Sequence, residues 1–237
     1  AMGIAFCLTG VWWLLMTIPL LKHYRQRYCA EPESHIFRGS FGRLAQGIRD
    51  LKEHKKIFLF LAAFFFYIDG VYTIIDMATA YGSALGLDSQ GLLLALLVTQ
   101  IVAFPFALAF GKAAKRFPAG SLIKVCILAY TGIALYAIQL DRQWEFWVLA
   151  VCVGMFQGAI QALSRSYFAK IVPAEKSGEF FGIFDICGKG AAFLGTALVG
   201  LISQITGSPS AGVGVLAVMF LVGFAIFWKA DRLNSLS

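Results

Sequence analysis

Long apolar runs recur along this chain, separated by short polar turns and by one much longer basic stretch. The first run is Met2 to Leu21, and six more follow at approximately Ile57 to Leu85, Gly91 to Gly111, Ser121 to Leu140, Phe146 to Ile171, Glu179 to Ile205 and Ala211 to Trp228. A bilayer core of about 30 Å requires roughly 20 apolar residues in a helix rising about 1.5 Å per residue, and every run meets that length. The runs are continuous rather than alternating, which predicts helices and argues against the short strands of an outer-membrane barrel. The fold class expected is therefore all-α and polytopic. Met2 to Leu21 lacks both a preceding basic region and a clean small-residue cleavage site, so it reads as a spanning helix and not as a signal peptide.

Composition agrees with the pattern. At 59% hydrophobic and 14% charged residues, the chain has too little polar surface to cover a soluble globule, and lipid must serve as part of its solvent. Charge then orients the spans, because short loops rich in Lys and Arg stay on the cytoplasmic side. Segment 22–56 carries nine Lys and Arg residues from Lys22 to Lys56; Lys112, Lys115 and Arg116 follow two spans later, then Lys170 and Lys176, then Lys229 and Arg232. The intervening connections hold only Arg142. This alternation predicts a cytoplasmic C-terminus in an inner (plasma) membrane, with the first span starting outside. The net charge of +7 is read as attraction to anionic headgroups, and its division among separate loops argues against a nucleic-acid partner. Within the basic stretch Phe41, Leu44, Ile48 and Leu51 share one face, as in an amphipathic helix lying at the membrane surface.

Cys7, Cys126, Cys152 and Cys187 fall inside spans and Cys29 in the basic stretch, none in a close metal-ligand spacing. His23, His35 and His54 all fall in the linker rather than within the membrane. These positions predict no metal and no cofactor. Neither HExxH nor GxSxG occurs, and the chain is not expected to be an enzyme.

The informative residues are the polar ones inside spans, each of which costs about 2.5 to 3.5 kcal/mol on insertion scales when charged, and so needs a partner or a cavity. Asp69 and Asp76 are seven residues apart and fall on nearly the same helical face, with Tyr67 and Tyr72 placed to line a cavity or bond to them. Gln157, Gln161 and Arg165 recur every four residues as a polar stripe. Asp185 and Lys189 are spaced for an intrahelical ion pair. Asp69, Asp76, Gln157, Gln161, Tyr67 and Tyr72 are the expected substrate- or proton-binding residues. Arg165, Asp185 and Lys189 are expected to form gating ion pairs. The bland alternative for the glutamines is interhelical hydrogen bonding. Gly154 with Gly158, and Gly178 with Gly182, repeat a spacing that lets helices approach closely; Gly188, Gly190, Gly195 and Gly200 continue along one span.

One span, a basic linker and six tightly connected spans resemble the middle and second half of a twelve-helix major facilitator. Residues 1–21 then resemble the sixth helix of a missing N-terminal half, 22–56 the cytoplasmic linker, and 57–237 a six-helix bundle of two inverted three-helix repeats. The loop Gly111-Lys-Ala-Ala-Lys-Arg-Phe-Pro118 resembles that superfamily's Gly-rich basic loop, although Lys115 and Pro118 stand where the pattern has an acidic residue and a glycine. Three segments carry a narrower resemblance: Gln157-Gly-Ala-Ile-Gln-Ala-Leu-Ser-Arg-Ser-Tyr-Phe-Ala-Lys-Ile-Val-Pro173, Glu175-Lys-Ser-Gly-Glu-Phe-Phe-Gly182 and Phe64-Phe-Phe-Tyr-Ile-Asp-Gly-Val-Tyr72. They are similar to the vacuole-effluxer family of major facilitators, which includes an autophagy-linked fungal amino-acid exporter and many bacterial permeases. The resemblance implies a permease for a small polar solute such as an amino acid, working by alternating access, with the helices of Asp69 and of Gln157 lining the cavity. The partners implied are a small-molecule substrate, protons through Asp69 or Asp76, the lipid bilayer and the missing half. A noncatalytic membrane scaffold or receptor is the alternative, in which the buried charges would be structural pairs.

Overall fold

The computed structural model describes residues 2–24, 49, 51 and 54–233, and the described residues are helical apart from short connections. Among the described residues seven helices are long and apolar enough to cross a membrane: α1 (Met2–His23), α2 (Lys55–Ala84), α3 (Ser89–Ala113), α4 (Ala119–Ala137), α5 (Gln143–Ile171), α6 (Ser177–Thr206) and α7 (Pro209–Arg232). A single 3-10 turn, Ala174–Lys176, precedes α6. Helix α1 belongs to a unit of its own; within it the Thr9 and Thr17 hydroxyls donate to the carbonyls of Ala5 and Trp13, so neither leaves a bare polar group on an apolar helix. Most ends extend a few residues past the apolar runs, while α2 and α4 stop short of Leu85 and Leu140; His23 and His54 consequently sit at the close of α1 and just before α2 rather than in the middle of a loop. Phe41, Leu44 and Ile48 of the expected amphipathic segment lie outside the described residues, whereas Leu51 is helical and buried.

Local chemistry sets the connections. Asp88 caps α3 by accepting the Gly91 N–H at 2.7 Å, and its own N–H donates to the Gln143 side chain at the start of α5. Glu145 folds back to accept the N–H groups of Asp141 and Arg142, closing a capping box on α5. Gly86 (φ +77°) and Gly207 (φ +67°) supply the left-handed residues that let the chain reverse after α2 and after α6, and Pro209 opens α7 where no N–H is needed.

Packing is interleaved between the two helix triplets. Helix α2 lies against α6 and α7, while α5, its counterpart in the second triplet, lies against α3 and α4; α4 and α7 close the bundle against each other. Each triplet thus completes the other's core, the arrangement expected of two inverted repeats in a major-facilitator half. Close approach depends on missing side chains. A Cβ on Gly154 would stand 2.7 Å from the Thr99 carbonyl oxygen of α3, and one on Gly70 would stand 2.6 Å from the Phe220 ring of α7. Gly158 is similarly near Ala107, but Gly178 and Gly182 face open space, so the helix contact expected of that second pair is not made.

Aromatic side chains pack together toward the end of the bundle where α2 begins. Phe64 stacks on Phe184 with centroids 4.1 Å apart, Phe184 on Phe168 at 4.8 Å, and Phe168 on Phe60 at 5.5 Å, joining α2, α5 and α6 in one continuous stack. Outward faces are equally apolar. Leu93, Leu97, Ile101, Phe104 and Leu108 form an exposed stripe along α3. Bilayer hydrocarbon or a further part of a longer protein would cover such a stripe; water would not tolerate it. The chain is an integral multi-pass membrane protein.

Candidate functional site

Helices α2, α5 and α6 line an open pocket of about 430 Å³ in which charged side chains stand beside apolar ones. Its walls carry Tyr72 and Asp76 from α2, Arg165 from α5, and Asp185 and Lys189 from α6, with Phe64 and Phe184 as an aromatic floor. A volume of this size accommodates a small organic solute, for which pockets of about 300 to 1,000 Å³ are usual.

Arg165 is held by two contacts. Its Nη2 donates to Asp185 Oδ1 at 2.8 Å, and its guanidinium lies over the Phe184 ring, 5.6 Å from the centroid. Asp185 is thereby drawn across to α5, and the intrahelical Asp185–Lys189 pair expected from their spacing is not formed. The reason is geometric: the guanidinium fork is fixed by the ring beneath it, whereas a lysine ammonium on an exposed helix face would gain little from a solvated pair. Asp76 and Lys189 make no ion pair among the described residues, so one carboxylate and one ammonium stand unmatched in the same pocket.

Other expected site residues are placed elsewhere. Asp69 does not face the pocket: it has no accessible surface and lies in the α2–α6 seam, with Oδ1 accepting the Gly195 backbone N–H at 2.8 Å and the Thr73 hydroxyl at 3.4 Å. Although Asp69 and Asp76 share a helix face in angle, Gly195 of α6 packs directly on Asp69, whereas Asp76 is exposed. Tyr67 is also fully buried, its hydroxyl 2.7 Å from that of Ser164, which in turn donates to the Ile160 carbonyl. Gln157 lines a separate cavity of about 30 Å³ with Thr99 and Gln100, far too small for an organic solute, and its buried Oε1 has no hydrogen-bond partner. Gln161 is half-buried and lines neither cavity. The shared aqueous cavity expected for Asp69, Gln157 and Gln161 is therefore divided into three environments.

A second polar cluster escaped sequence reasoning. At the end of the bundle where α2 begins and α7 finishes, Asp231 accepts from Lys124 Nζ at 2.8 Å and from the Tyr167 hydroxyl at 3.2 Å, tying α7 to α4 and α5. Lys56 of α2 stands over the Tyr167 ring at 5.9 Å. Gly120 makes room for the Asp231 carboxylate, which a Cβ there would strike. The one signal available was Lys124, a lone cation inside an apolar run. No group of three or more His, Cys, Asp or Glu suited to a metal occurs among the described residues.

Comparison with known proteins places this geometry in a family. The family described as vacuole effluxer Atg22 like matches residues 1–236. An MFS-type transporter YxiO of Bacillus subtilis (strain 168), described as uncharacterized, is 46% identical over 226 residues, covering 95% of this chain and 53% of that protein. Autophagy-related protein 22 of Yarrowia lipolytica is 26% identical over 98% of this chain and 44% of its own length, and that of Cryptococcus neoformans (strain B-3501A) is 27% identical over 97% and 46%. The chain spans about half the length of the relatives it matches. With the match running from the first helix to the last, the chain belongs to the vacuole effluxer Atg22-like family.

Proposed function

We propose that this chain forms the solute-binding six-helix part, with one preceding helix, of a secondary transporter that moves a small polar solute such as an amino acid by alternating access coupled to protons. The observation that carries the reading is the polar pocket of α2, α5 and α6, where Asp76 and Lys189 stand unpaired beside the Arg165–Asp185 pair. An amino acid is a zwitterion; its ammonium group suits Asp76, its carboxylate Lys189, and the Phe64 and Phe184 rings offer an apolar surface to its side chain. The names of the relatives support transport, since one is an MFS-type transporter and the matching family is that of an effluxer. Exposed apolar stripes such as that of α3 support a partner half in the longer protein, and the one-sided distribution of Lys and Arg supports a cytoplasmic C-terminus in an inner membrane.

Solute exchange by the full-length protein in proteoliposomes tests the reading, with individual amino acids screened with and without a pH gradient. Exchange that falls in Asp76→Asn and Lys189→Gln, and that responds to the gradient, is expected. If both variants exchange like the parent, the solute site lies elsewhere in the protein; if no solute moves, a scaffold or receptor reading takes the place of transport.

A further inference from the structure

The buried carboxyl of Asp69 takes no part in the solute pocket. It sits in the α2–α6 seam with no accessible surface. Oδ1 has two donors, the Gly195 N–H and the Thr73 hydroxyl, while Oδ2 is buried with no hydrogen-bond partner. The Gly195 amide, within an unbroken stretch of α6, reaches a carboxyl on another helix, which marks a special joint between α6 and α2. The joint is tight, since a Cβ on Gly195 would strike both Asp69 and Thr73.

Among the described residues no cation compensates this carboxyl. From α2 itself come Thr73, Tyr67, whose hydroxyl is engaged by Ser164, and Asp76, which opens into the pocket. Helix α6 brings Gly195; Asp185 is bound to Arg165, and Lys189 is six residues earlier, about 9 Å along the helix. From α5 the facing groups are Ser164 and the already paired Arg165. Helix α7 presents the Phe220 ring against Gly70, with Tyr130 of α4 stacked behind it. A carboxylate here would be a buried charge without a counter-charge, which costs far more than the one hydrogen bond a neutral carboxyl forgoes at Oδ2.

We propose that Asp69 is a proton-binding site separate from the solute pocket, and that its proton keeps α2 and α6 sealed at Gly195. In the sealed form the proton resides on Oδ2 and Oδ1 serves as the double acceptor. Water must reach Oδ2 before the proton can leave, and water enters only if α6 moves off Thr73 and the Gly195 N–H separates from Oδ1. Proton loss and opening of the seam are thus one event: acid favours the sealed form, alkali the open one. With one proton released per opening, the opening constant rises about tenfold per pH unit above the point where the open form ionises. The proton site stands on the seam alone; its role as the coupling site rests on the transporter reading.

Two measurements on the full-length protein in phosphatidylcholine proteoliposomes test this. Infrared difference spectra between acid and alkaline pH should show a protonated-carboxyl band lost on alkalisation, present in the parent and missing in Asp69→Asn. Thr73→Val, which removes one donor from the carboxyl, should shift that band and provides the assignment if Asp69→Asn does not fold. Hydrogen exchange of the peptide spanning Gly195, corrected for intrinsic rates, should accelerate with pH in the parent and stay flat in Asp69→Asn. Identical infrared differences in the parent, Asp69→Asn and Thr73→Val, or protection around Gly195 that ignores pH in the parent, would overturn the proposal. A protein that shows both signatures but moves no solute would retain the proton site and lose the transporter reading.

Discussion

Asp185 reaches across from α6 to Arg165 on α5 at 2.8 Å, although Lys189 stands only one turn away on its own helix. The choice binds two helices at the mouth of the pocket and leaves a cation inside it. Because about half of each side chain is exposed (61% and 53%), the pair contributes little to stability, about 0 to 1 kcal/mol. Its effect should be on function. Arg165→Gln and Asp185→Asn are expected to shift the unfolding temperature hardly at all while slowing solute exchange, and the charge-swapped double variant Arg165→Asp/Asp185→Arg should recover part of the lost rate. Exchange kinetics alongside thermal unfolding in detergent reads both.

The seam glycines separate tight joints from idle ones. Gly195→Ala places a methyl group against Asp69 and Thr73, and overpacking of this kind costs about 1 to 3 kcal/mol. Gly190→Ala, five residues earlier on the same helix, meets nothing within 4 Å and should be neutral or mildly stabilising through better helix propensity. Thermal unfolding of the two variants should therefore move in different directions, or at least by clearly different amounts.

The Asp231 cluster is expected to behave as a structural clasp. Asp231→Ala leaves the partly buried Lys124 ammonium without its counter-charge and removes the acceptor of the Tyr167 hydroxyl, for a loss of about 1 to 3 kcal/mol. Lys124→Met/Asp231→Leu removes both charges together and should be less harmful than Asp231→Ala alone, as found when buried pairs are replaced by apolar residues. Comparison of unfolding midpoints for the two variants checks the order.

Two tyrosines on α2 should part company. Tyr67→Phe deletes a buried hydrogen bond to Ser164, expected to cost about 0.5 to 1.5 kcal/mol without changing solute affinity. Tyr72→Phe alters the pocket wall, and its effect should be on the KM for the solute, with an unchanged unfolding temperature. A reversal of these two outcomes would move the solute site to the buried side of α2.

Much of the architecture was legible before any coordinate, because a bilayer imposes a length and a polarity on every span. The seven runs lie within a few residues of the helices, whose ends extend through capping groups such as Asp88 and Glu145 that hydropathy does not weigh. The site was less legible. Helix α2 is apolar on nearly all sides, so its own periodicity did not say that α6 would cover Asp69 and spare Asp76. Spacing likewise proposed Lys189 for Asp185 but could not show that Phe184 would seat Arg165. Asp231 and Lys124, 107 residues apart, had no local pattern to join them.

The interleaving of the two triplets has a consequence for biogenesis. When α2, α3 and α4 have been inserted, Asp69 has yet to meet the Gly195 amide, Lys124 lacks Asp231, and Gly154 is absent from the face of Thr99. These contacts form only as α5, α6 and α7 follow, each supplying one partner. The early half of the bundle must therefore wait in the membrane with its polar groups uncommitted, and a chain that stalls after α4 would present an unanswered carboxyl and an unanswered ammonium to the quality-control machinery of the membrane.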